Sequence, residues 1–143
     1  MSQLHGTVWW SELMTRDVGA AKAYYERVCG WHFDEMPMDE GIYHLATAHG
    51  RPVAGVMDMT GFDDMEDVPP HWFTYIAVDD LDAALEEATE AGGQVMRPPF
   101  DVPEAGRIAI VADASGAALG LMVPATEWDP PETGSGSLEN VPV

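Results

Sequence analysis

The chain has 143 residues, enough for one ordinary domain whose core needs no disulfide or metal staple. Twenty-five acids stand against six bases, a formal net charge of −19 that repels phosphate backbones and anionic lipid surfaces and concentrates cations, so nucleic acid and membrane are poor partners. The single Cys29 has no internal disulfide partner, no run nears the roughly 18 apolar residues of a membrane span, and no apolar segment precedes the first strand, so the expectation is a cytoplasmic protein.

In chain order, the first strand is predicted from about Val8 to Met14, followed by Asp17 as a helix N-cap. The helix sets Val18, Ala21, Tyr25 and Val28 on one stripe and stops at Gly30. Cys29, at a helix C-terminus that disfavours a thiolate, reads as buried packing. Strands near Trp31–Met36, Gly41–Ala48 and Pro52–Met59 follow. Thr60 to Pro70 is acidic and ends in Pro69–Pro70, which suits a linker over the surface. A strand from His71, a helix from Asp80 to Ala91 stopped by Gly92–Gly93, and strands near Gln94–Arg97, Arg107–Asp113 and Ala118–Val123 come next. The tail, 125–143, contains Pro130–Pro131 and a Gly134–Ser137 stretch and reads as mobile.

The second half repeats the first. Residues 8–25, VWWSELMTRDVGAAKAYY, match residues 71–88, HWFTYIAVDDLDAALEEA, 63 positions on, with Asp17 on Asp80, Val18 on Leu81 and Gly30 on Gly93. One such module leaves a sheet face uncovered, so two must pack together. The expected fold is α+β: two βαβββ modules in tandem (about 6–60 and 71–124, with linker 61–70) forming a curved, barrel-like mixed sheet around a cavity, as a single domain over 1–124.

The segments PPHWFTYIAVDDLDAAL, GGQV and GRIAIVADASGAALGLMVP carry a resemblance to the vicinal oxygen chelate superfamily, over roughly residues 6–124. That superfamily groups glyoxalase I, bleomycin-resistance proteins, fosfomycin-resistance enzymes and extradiol dioxygenases. Within it, the chain is similar to a glyoxalase-like subgroup with HW before the second-module strand. The resemblance implies a homodimer or an intramolecular closure of the two modules. It also implies where metal-using members hold a metal: His or Gln on the first strand and Glu on the last strand of each module. Here those positions carry Trp10 and Phe73, seven residues before each capping Asp, and Gly55 and Gly120. None offers an oxygen or imidazole donor. The expectation is therefore no metal at the usual site and no cofactor, with a noncanonical site from Glu12 and His71 left open.

Strand alternation gives those positions a different use. Trp10, Glu12 and Met14 share a face with Val53, Gly55 and Met57, and His71, Phe73 and Tyr75 share one with Ala118, Gly120 and Met122. The two glycines are expected to leave room for a planar ligand against Trp10 and Phe73, with Met14, Met57 and Met122 as adaptable lining. Packed aromatics filling a small barrel are the plain alternative. Glu12, inward among aromatics, is the candidate general base or counterion, with a structural pairing, for instance to Arg107, as the other reading. His71 either donates to a ligand or caps the linker, and Tyr75 is a candidate proton carrier beside it. Tyr43 and His44 are adjacent, so only one faces that side. His5, His32 and His49 read as surface or turn residues, and Ser11 and Ser115 carry no nucleophile-elbow motif.

Three functional classes remain open. One is metal-independent binding, of sequestration or antibiotic-resistance type, of a small hydrophobic, aromatic or cationic metabolite. The second is an enzyme using Glu12, with His71 or Tyr75, for isomerisation, cyclisation, hydration or lyase chemistry. The third is a metalloenzyme with shifted ligands.

Overall fold

The computed structural model of the chain describes residues 3–38, 41–60, 66–102 and 106–125. The middle of the linker, residues 61–65, and the tail from residue 126 lie outside the described residues, and with them the surface path and mobility expected there. The elements are β1 (Val8–Thr15), α1 (Val18–Cys29), β2 (His32–Met38), β3 (Gly41–Ala48), β4 (Arg51–Asp58), β5 (His71–Ala77), α2 (Leu81–Glu90), β6 (Gln94–Val102), β7 (Gly106–Ala112) and β8 (Ala118–Pro124). The chain is α+β, and the order strand, helix, three strands occurs twice.

Two compact units result, one of Trp10–Thr74 and one of Met1–Trp9 with Tyr75–Val143. In the first the strand order is β2-β3-β4-β1, with β1 parallel to β4 and the other pairs antiparallel. In the second it is β5-β8-β7-β6, with β5 parallel to β8. The N-terminal residues join that unit through backbone hydrogen bonds from Gly6 N–H to the Ala77 carbonyl (2.7 Å) and from Ala77 N–H to the Thr7 carbonyl (2.9 Å).

The same capping chemistry starts both helices. The Asp17 carboxylate accepts the Ala20 N–H at 2.9 Å and the Asp80 carboxylate accepts the Ala83 N–H at 3.1 Å, satisfying one of the orphan donors of each first turn. Gly30 ends α1 in the left-handed conformation (φ 72°), with its N–H returned to the Glu26 carbonyl.

Under α2 the core is Val78, Leu81 and Ala109, with Ala84, Leu85, Leu121 and Val123 packed against it. In the other unit Leu13, Ala46, Ala54, Val56 and Met59 are buried. Val56 and Met59, at 0 % and 1 % exposure, are the largest fully buried side chains; burial of each contributes about 1.5–3 kcal/mol.

Three local expectations change. β6 runs to Val102 rather than ending near Arg97, and its pairing with β7 shifts register between Val95 and Arg97 and again between Arg97 and Phe100. It is the terminal strand of its unit, so Pro98 and Pro99 remove no ladder bond that a central strand needs. Cys29 is exposed rather than buried, and Val28 is 59 % exposed. The inward side of that last turn is occupied by Tyr25 stacked on Trp31 (centroids 5.0 Å, 22°), which leaves Val28 and Cys29 outside.

Candidate functional site

The parallel pairing of β1 with β4 sets Glu12 beside Gly55 and Met14 beside Met57. Pleat alternation therefore puts Trp10, Glu12, Met14, Val53, Gly55 and Met57 on one face of the sheet. On β3, Leu45 is the partner of Gly55, which places Tyr43 on this face and His44 on the opposite one. The Tyr43 hydroxyl accepts the Trp10 indole N–H at 2.8 Å. It also stands directly over Gly55, where a Cβ would overlap the phenol oxygen and its ring carbon.

That contact corrects an expectation. The space left by Gly55 is not an open slot for a planar ligand, because Tyr43 reaches into it from the neighbouring strand β3. The other unit repeats the arrangement with a different donor of the ring: Tyr75 is the direct neighbour of Gly120 in the β5–β8 pair, and a Cβ on Gly120 would overlap the Tyr75 ring. Each glycine is required for close approach of a tyrosine. Both glycines are buried, as are Met14 and Met122, while Trp10, Glu12, Tyr43, Met57, Phe73 and Tyr75 are half-buried. The signal for Tyr43 was absent from the sequence because its neighbour across β4 depends on register, not spacing.

His71 and Phe73 lie on one face of β5 with their rings 6.3 Å apart and edge-on at 72°. His71 Nδ1 lies 2.8 Å from the Pro69 carbonyl. A carbonyl only accepts, so Nδ1 carries the proton, and the ring caps the end of the linker as one of its two readings required. Arg107 is exposed on β7, between Asp101 on β6 and Val123 on β8.

The opposite face of the Trp10–Thr74 sheet carries a separate polar group. His44 Nδ1 is buried without a hydrogen-bond partner. Burial, and next the nearby Lys22 ammonium, hold the His44 pKa below its usual value, against the opposing pull of Glu35 and Asp58. The neutral imidazole is thus favoured relative to that of a free histidine. Lys22 lies 3.6 Å from the Glu35 carboxylate and 5.8 Å from the Phe33 ring centroid. Two exposed turn carboxylates are held low by hydrogen bonds: Asp58 by Thr60, and Asp113 by the Ser115 hydroxyl (2.6 Å) and the amides after it. They brace turns.

The donors do not fit the superfamily's usual metal site. Trp10 and Phe73 have no oxygen or imidazole, and at Gly55 and Gly120 the neighbouring tyrosines exclude a carboxylate side chain. Among the described residues no three His, Cys, Asp or Glu side chains come close enough to hold a metal ion. An open groove between α2 and β6, lined by Leu85, Glu86, Thr89, Glu90 and Val95, shares no residue with the aromatic face and has two carboxylates without a converging partner. No helix among the described residues is long and apolar enough to cross a membrane.

Two βαβββ arrangements with the ligand positions on their first and last strands define a class, and the chain belongs to it: the Glyoxalase/Bleomycin resistance protein/Dioxygenase superfamily, whose sequence model matches residues 6–121. Among individual proteins, it is 44% identical over 118 residues to CFP32 of Mycobacterium tuberculosis, named provisionally as a glyoxylase, covering 81% of this chain and 45% of that one. It is 35% identical over 126 residues to the anthracycline biosynthesis protein DauV of Streptomyces sp. strain C5, covering 82% of this chain and 41% of that one. The chain thus spans less than half the length of these curated relatives. Methylmalonyl-CoA epimerase from M. tuberculosis has the same fold, with a TM-score of 0.63 at 18% identity over 89% of this chain and 94% of that one.

Proposed function

We propose that this chain binds a small hydrophobic, planar aromatic or cationic metabolite without a metal at the superfamily's usual positions. One observation carries the reading: Tyr43 over Gly55, locked by the Trp10 indole at 2.8 Å, builds an aromatic wall where metal-using members need a carboxylate. Indole and phenol faces favour planar and cationic groups, and the net charge of −19 adds a field that draws cations. The likeness to DauV, named for anthracycline biosynthesis, supports a polycyclic aromatic ligand class.

The test is calorimetric titration of chelator-treated protein with an anthracyclinone-type polycyclic, alongside elemental analysis. Retained binding in the metal-free protein, weakened about tenfold or more by Trp10→Ala, is the expected result. Binding that appears only with a stoichiometric transition metal overturns the reading.

A second reading rests on Glu12, a half-buried carboxylate directly beside Gly55 and on the face of Trp10 and Tyr43. There it serves as a general base that takes a proton from a bound substrate, with His71 supplying another proton to the substrate, in isomerisation, cyclisation or hydration. Glu12→Gln then abolishes turnover while leaving the titrated affinity nearly unchanged; equal loss of both removes the catalytic role.

A further inference from the structure

We infer that Arg97 is a ligand-binding residue, and that the ligand it selects is a planar aromatic acid whose carboxylate meets its guanidinium. The inference rests on the binding reading above and narrows its ligand class.

An irregularity of the second unit sets the position of Arg97. In the first unit β2 pairs with β3 residue for residue. In the second, the nine residues of β6 run beside the seven of β7, with register shifts on either side of Arg97. In an unbroken strand, residues three apart point to opposite faces. The shifts instead pair Arg97 with Ile110 and Phe100 with Ile108, two residues apart on β7, which brings both side chains onto one face. The Arg97 guanidinium accordingly lies over the Phe100 ring, 3.8 Å from its centroid. Along the same row Ile110 pairs with Gly120, and Gly120 with Tyr75. Arg97 thus stands at the edge of the face on which Tyr75 covers Gly120. Helix α2 packs on the other face, against Ala109, Leu121 and Val123.

Charge on this face runs against the rest of the molecule. The chain has 25 acids, yet the one acid in these four strands is Asp101, which is the partner of Arg107 and lies with it on the face away from Arg97. Arg97 is exposed and forms no ion pair with a described carboxylate. Stacking on Phe100 holds the plane of the guanidinium, so its N–H fork is preset for two parallel hydrogen bonds to a carboxylate. The row from Tyr75 to Arg97 crosses three strand spacings, about 14 Å at about 4.8 Å each. A polycyclic frame lying over Gly120 and Ile110 spans that row, with its rings against Tyr75 and its acid at Arg97.

The net charge of −19 disfavours an anion at long range. Without a local cation, a carboxylate therefore binds worse than its neutral amide, which gives the test its sign. Calorimetric titration of the full chain compares anthraquinone carboxylate with anthraquinone carboxamide. The wild type is expected to hold the carboxylate about tenfold more tightly. Arg97→Gln, at an exposed position, is expected to remove that preference and leave the carboxamide affinity nearly unchanged. Arg97→Lys keeps the charge without the planar fork and is expected to retain only part of the preference. Circular dichroism spectra matching the wild type show that both variants fold. A carboxamide bound as tightly as the carboxylate by the wild type overturns the inference and leaves the binding reading standing, as does a preference that persists in Arg97→Gln. If neither compound binds, the inference falls together with the polycyclic ligand class on which it rests.

Discussion

Gly55 and Tyr43 act as one unit, although 12 positions separate them and no motif joins them. Adding a methyl at Gly55 forces the phenol out of its place over β4. Gly55→Ala is therefore expected to lower stability by about 1–3 kcal/mol, the usual cost of overpacking, and to cost clearly less in a Tyr43→Ala background, where the space is vacated. Urea unfolding midpoints of the four-member cycle check this, with an unchanged m-value showing that the folded state stays compact. Additive effects would mean that the tyrosine does not fill the glycine's space in solution. The glycines were legible in the sequence as missing side chains at ligand positions. Their fillers were not, because a side chain from a neighbouring strand is found only when the register is known.

The two helices share a cap and differ in anchorage. Both N-cap carboxylates were legible as an Asp just before an apolar periodic run, repeated at a spacing of 63. Removing either costs about 0.5–2 kcal/mol. The loss is expected to appear differently: α2 is pinned by Leu81 in the Val78–Ala109 core, so Asp80→Ala lowers the global unfolding free energy. Helix α1 has no fully buried residue, so Asp17→Ala is expected to speed amide exchange within 18–29 more than it shifts the midpoint. Hydrogen exchange with chemical unfolding separates the two; equal global losses would mean that α1 is as firmly docked as α2. The exposure of Val28 and Cys29 escaped the sequence for the same reason, since a helical stripe states which residues share a side, not how far the sheet extends beneath them.

At the scale of the whole molecule, net charge opposes compaction. With 25 acids and 6 bases, the bases can pair with only a minority of the carboxylates, and most of these interact through repulsion. The melting temperature is expected to rise with sodium chloride as the Debye length falls from about 10 Å at 0.1 M towards about 3 Å at 1 M. Differential scanning calorimetry across that range checks it, and a flat response would show that the charges are already compensated.

From the sequence alone came the α+β class, the doubled strand–helix–three-strand order, the two helix caps and the superfamily. These follow from periodicity, capping chemistry and internal repetition, all of which act over a few residues or recur along the chain. Tertiary structure alone decided that Tyr43 rather than His44 shares the face of Trp10, that tyrosines occupy the space above Gly55 and Gly120, and that Tyr24 and Val28 of α1 stay exposed. Those outcomes depend on which strands pair and in what register, and a shift of one residue would turn each of these side chains to the other side.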